Sequence, residues 1–180
     1  MPTTPWIALT SGIMYRNMED DMGVCRTDIR IESYAMTITD ATTNGAHGSV
    51  KVAELPKGYN AFIKSMIDAT VLAGSGGIAD DATYDIGIGS AAAGVDNEVL
   101  ATTEQDIVTK QEGDLSSGAA TLAGVVDLTA VSHDGRSTAT SLYLNVAIAA
   151  ADCSADDTLT FNGGGNDYLA ASVFFLKTTV

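Results

Sequence analysis

From Asp28 onward the chain runs in short stretches in which apolar and polar residues alternate. Ile29 and Ile31 are set against Arg30 and Glu32, Met36-Thr37-Ile38 continues extended, and Val50 and Val52 flank Lys51. Tyr84, Ile86 and Ile88 alternate with Asp85 and Gly87. The clearest case is Ser141 to Ala149, where Leu142, Leu144, Val146 and Ile148 oppose Tyr143, Asn145 and Ala147. A period of two sends successive side chains to opposite faces, so each stretch predicts a strand with one face buried. Ala119 to Ala130, Thr158 to Phe161 and Tyr168 to Leu176 are further strand candidates. Turn clusters separate them: Thr43-Asn44-Gly45, Ala73 to Gly77, His133-Asp134-Gly135-Arg136, Asp152 to Asp157 and Asn162 to Asn166. Asn-Gly is a hairpin signal. The Gly-rich turn after Leu72 predicts a hairpin between the runs on either side of it.

One stretch reads both ways. In Glu54 to Leu72, Tyr59, Ala61, Ile63, Ile67, Ala69 and Val71 fall on odd positions, with Asn60, Lys64, Asp68 and Thr70 on even ones. Tyr59, Phe62, Ile63, Met66, Ile67 and Val71 also fit one stripe of a helix. Gly58 is a poor residue near a helix start, and a Gly-rich turn with an alternating partner follows. The stretch is therefore read as a strand, entered through the Pro56-Lys57-Gly58 corner. Ser90 to Gly118 is polar and acidic, a long excursion with one or two short strands or a helical turn. Eight or nine short strands with turns about every ten residues predict an antiparallel sandwich or barrel.

Residues 1–26 lack this pattern. Two prolines, one Trp, four Met and the acids Glu19-Asp20-Asp21 occur without periodicity. Such a stretch reads as a poorly ordered terminus or, more sharply, as an N-terminal arm before a β-sandwich domain over 27–180, ordered on a partner through Trp6, Ile7 and Met14 as apolar anchors. The arm has no basic n-region and is not read as a signal peptide. The longest uncharged run, Ser137 to Ala151, is too short and polar to span a bilayer. No membrane is expected as a partner.

Composition agrees with a turn-rich β protein: 180 residues, 46% hydrophobic, 18 Gly and five Lys. The formal net charge is −14, and Ser65 to Leu176 holds sixteen acids against Lys110 and Arg136. Such a surface repels nucleic acid, and no nucleic-acid partner is expected. Cys25 and Cys153 leave a disulfide open without implying one.

Candidate chemistry is thin. Gly87-Ile88-Gly89-Ser90-Ala91-Ala92 matches a dinucleotide fingerprint, yet no helix start follows to hold a pyrophosphate. Ser132-His133-Asp134 are adjacent, whereas a triad converges from separate segments. His47 lies between glycines without an evident carboxylate. Two histidines and two distant cysteines make no convincing zinc site. Asp80-Asp81-Asp85, Asp96-Glu98 and Asp152-Asp156-Asp157 could offer oxygen ligands, but none matches a calcium loop. No cofactor and no enzymatic activity are expected.

Leu55-Pro56-Lys57-Gly58 between two strands, the Gly74–Gly77 turn and Ala82-Thr83-Tyr84-Asp85-Ile86-Gly87-Ile88-Gly89 form a familiar succession. With Leu142-Tyr143-Leu144-Asn145-Val146, Asp157-Thr158-Leu159-Thr160-Phe161 and a last apolar strand, it resembles the capsid cement, or decoration, proteins of tailed bacteriophages. The resemblance covers roughly Ser49 to Leu176; residues 1–26 have no counterpart in it. It implies a jelly-roll-like β-sandwich, often trimeric, on the outer surface of the virion at junctions between major capsid protein subunits. Such proteins use a terminal arm for shell contacts. Another structural virion part, such as a head fibre base or tail-associated β protein, is the alternative. A carbohydrate- or calcium-binding sandwich is a third; the single Trp6, outside the sandwich, counts against it.

Overall fold

The computed structural model describes residues 5–19, 24–40, 45–73, 83–94, 99–114, 119–127, 132–135, 139–149, 153, 157–163 and 169–178. Most of them lie in strands: β1 (Ile7–Thr10), β2 (Ile13–Glu19), β3 (Val24–Ile31), β4 (Tyr34–Thr37), β5 (Thr39–Asp40), β6 (Ala46–Leu55) and β7 (Gly58–Ala73). They continue with β8 (Thr83–Gly89), β9 (Val108–Asp114), β10 (Ala119–Asp127), β11 (Ser132–Gly135), β12 (Thr140–Ile148), β13 (Thr158–Gly163) and β14 (Leu169–Thr178). The protein is all-β, with one 3-10 turn among the described residues, at Thr102–Glu104.

The ambiguous stretch is a strand, and it is the spine of the larger, nine-stranded sheet. Along one edge of β7, β13 pairs with residues 69–73 and β14 with residues 59–67. Along the other edge, β10 pairs with residues 65–72 and β11 with residues 58–61. β13 and β14 thus act as one interrupted strand, and so do β10 and β11. β3 and β4, paired to β14 and β13, form a third. The larger sheet reads β3/β4, β13/β14, β7, β10/β11, with the β1–β2 hairpin added beside β3. The smaller sheet reads β5, β6, β12, β8, β9. Eight long strands divided between two antiparallel sheets, the first paired to the last, make a jelly-roll sandwich.

The inner faces follow the period-two pattern. Ile29, Ile31, Phe161, Val173 and Phe175 from the larger sheet meet Leu55, Ile86, Ile88, Leu144 and Val146 from the smaller one in a single buried core. Cys25 and Cys153 are both buried there and are not joined in a disulfide.

Three expectations change. The hairpin foreseen across the Gly-rich turn is a crossover, because β7 and β8 lie in different sheets; the turn itself lies outside the described residues. Pro56-Lys57-Gly58 likewise carries the chain from one sheet to the other, with Gly58 at φ 143. The stretch His133-Asp134-Gly135, read as a turn, is extended, because its backbone pairs with Asn60, Tyr59 and Gly58. The arm is no separate extension: β1 and β2 are sheet strands, and Ile13, Tyr15 and Cys25 are core residues. Their burial comes from β6, to which Asn17 Nδ2 donates at the Glu54 carbonyl (3.0 Å). Gly12, in the left-handed region at φ 78, packs against the Ser33 backbone, where a Cβ would sit 2.1 Å from the carbonyl oxygen.

Candidate functional site

β2, β3 and β14 set the outer face of the larger sheet. Register places Arg16 opposite Asp28 and Asp28 opposite Ser172, with Arg26 opposite Phe174. Asp28 is fully buried although it faces away from the core. Arg16 donates to its Oδ2 from Nε (3.1 Å) and a terminal nitrogen (2.9 Å), Arg26 donates to Oδ2 (3.1 Å), and Ser172 Oγ donates to Oδ1 (2.8 Å). A buried carboxylate needs such compensation. The guanidiniums in turn lie against rings: Arg16 sits 4.5 Å from the centre of Trp6 and Arg26 5.8 Å from that of Phe174. Arg30 lies 5.9 Å from Trp6 and pairs with Glu32 at 3.3 Å. The result is a ladder of ring, cation, anion, cation, ring, on a face that holds three of the chain's four arginines. Leu176, two residues beyond Phe174 on the same face, is 44% exposed.

The outer face of the smaller sheet is covered instead. Residues 90–94 and 99–107 cross it and are tied down by Asn145, fully buried on β12. Its Oδ1 accepts from Ser49 Oγ (2.6 Å) and the Ala93 N–H (2.9 Å). Its Nδ2 donates to the carbonyls of Ala91 (2.9 Å) and Glu104 (2.8 Å). Every bond that an amide side chain can make to two donors and two acceptors is made. Asp106 accepts from the Ser90 N–H and Oγ, both at 2.8 Å, and Ala93 and Leu100 cover Ala147. Close approach explains the Gly-x-Gly pattern: a Cβ on Gly89 would lie 2.3 Å from Thr103 O, and one on Gly87 3.1 Å from Val108 O. These glycines admit a protein segment where a nucleotide site would admit phosphate.

Beside it, Lys110 Nζ donates to the buried Asp85 at 2.9 Å. That bond raises the lysine's pKa above its usual 10.5 despite some desolvation. Tyr15 is also raised above 10.0, first by burial and then by the Glu54 carboxylate, with Lys51 opposing. Among the described residues, no three His, Cys, Asp or Glu side chains gather as a metal centre would require. His47 is half-buried on β6, opposite Thr39 and Ala147. Asp80, Asp81, Asp96, Glu98, Asp152 and Asp156 lie outside the described residues. No helix among the described residues is long and apolar enough to cross a membrane.

No family model matches the chain, and no curated protein is similar to it. Solved structures give faint likenesses. One is an arabinose-bound MgGH51 α-L-arabinofuranosidase, at TM-score 0.31 and 9% identity, covering 94% of this chain. This chain spans only 23% of that enzyme's length. Another is TmCBM61 in complex with beta-1,4-galactotriose, at TM-score 0.22 and 10% identity, covering 87% of this chain and 86% of that one.

The three anchors expected from the sequence separate. Trp6 lies over Arg16, and half-buried Met14 is the register partner of Arg30, so both belong to the arginine face. Ile7 is paired with Tyr15, on the opposite side of the hairpin, and is 45% exposed. Arg16, Asp28 and Arg26 were missed as a group. Only the alternation of Arg26, Asp28 and Arg30 along one strand could have signalled it.

Proposed function

We propose that the chain is a structural virion protein without enzymatic activity, which binds the outside of a tailed-phage capsid and cements junctions between major capsid protein subunits. One observation supports this reading best. Residues 49–176, which carry the resemblance to cement proteins, supply six of the eight long strands of a jelly-roll sandwich and complete a seventh. The physics of cementing asks little else. A protein that binds only the assembled shell stabilises it by linkage, and many weakly bound copies add up.

The test uses particles. Heads lacking the protein should release DNA at a lower temperature than heads carrying it, and added purified chain should restore the higher value. Unchanged release temperatures would overturn the reading. Removing residues 1–26 is no fair test of attachment, because Ile13, Tyr15 and Cys25 belong to the core. A chain lacking residues 1–10 keeps those residues and loses Trp6 and β1. If the hairpin contributes to shell contact, this variant should bind heads less tightly.

A further inference from the structure

We propose that the outer face of the larger sheet, between Trp6 and Phe174, is the surface on which a second copy of this chain docks through its acidic surface. The two sheets are finished differently. The smaller one is roofed by residues 90–94 and 99–107, held through Asn145. The larger one leaves Arg26 with 40% of its side chain accessible and Leu176 44% exposed. Its chemistry is that of an interface centre, since Arg and Trp dominate binding energy where they are pre-positioned. Here Trp6 and Asp28 already hold the guanidiniums in place, so little side-chain entropy remains to be lost on docking.

Charge selects the occupant. Two guanidiniums share the single carboxylate of Asp28, and Arg30 is balanced by Glu32, so the face is net cationic. The rest of the chain is the reverse, with sixteen acids against two bases between Ser65 and Leu176 and −14 overall. Each copy therefore carries both halves of a complementary pair. Because the two halves are different surfaces, the contact is head-to-tail. The proposal deepens the cement reading by naming how copies join.

Sedimentation of the purified chain, at concentrations up to about 100 µM, tests it without any capsid. Wild type should associate. Arg30→Glu and Leu176→Asp should each weaken association about tenfold. Lys57→Glu, the same charge reversal at the exposed corner between the two sheets, should leave it unchanged. Should Arg30→Glu fail to fold by circular dichroism, Leu176→Asp decides. A monomeric wild type, association indifferent to the face variants, or equal loss with Lys57→Glu would overturn the docking. None of these results touches the particle assay, so the cement reading stands or falls separately.

Discussion

Asp28 shows how far a residue's role can lie from its local pattern. It occupies a polar position of an alternating strand, yet it is buried because Arg16, Arg26 and Ser172 close over it. Those partners stand 12, 2 and 144 positions away, so only the nearest was visible in the sequence. Asp28→Ala should cost about 3 kcal/mol, since it leaves two guanidiniums facing each other on one side of the sheet. Arg16→Ala should cost only about 1 kcal/mol, because Arg26 and Ser172 still serve the carboxylate and Arg16 is partly in water. Urea midpoints will rank the two. Alkaline pH offers a second residue-scale test. Tyr15 and Lys110 both hold their protons more tightly in the fold than in the unfolded chain. Their contributions are complete below the unfolded values, near pH 10, and are lost as pH rises through the folded ones. Stability should therefore fall above about pH 10, and Tyr15→Phe should flatten that fall in urea titrations from pH 8 to 11.

Among the elements, β8 and β12 were legible from end to end, because half-buried strands advertise themselves by alternation. The segment over the smaller sheet was not. Its order comes from its own backbone groups bonding a side chain on a remote strand, and from Asp106 within it, which leaves no period to read. Asn145 alone makes three of those bonds, and it sits on a strand that would otherwise have been read as plain amphipathic. Asn145→Ala should cost about 3 kcal/mol, as buried backbone groups lose their partners. Gly89→Ala should displace the segment directly, since its Cβ would lie 2.3 Å from Thr103 O. In both variants amide exchange should accelerate between residues 90 and 105 while β12 stays protected. Equal acceleration in β12 would mean that the segment and the sandwich open as one unit. The N-terminal strands were misjudged for a related reason. Ile13 and Tyr15 alternate for too short a distance, among Met, Arg and Asn, to mark a strand without β6 behind them.

At the scale of the molecule, the class was readable and the connectivity was not. Alternation and turns mark most of the long strands, but not which sheet each one joins, and the Gly-rich turn suggested a hairpin where the chain crosses over. The strand that binds the larger sheet together also has a price in time. β7 meets its neighbours only when residues far downstream arrive: Ile67 pairs with Val125 on one edge and Ala171 on the other. Closing loops of that length before any contact rewards them makes folding slow, on the order of milliseconds to seconds. During that wait a sixteen-residue strand has both edges open to other chains. Lys64 and Asp68 interrupt its apolar run, as gatekeepers do in segments that would otherwise aggregate. Replacing both with Val should leave an assembled sandwich able to form while lowering the yield of soluble protein on refolding, increasingly so at higher concentration. On this view two charges in the middle of the spine serve the chain before it folds.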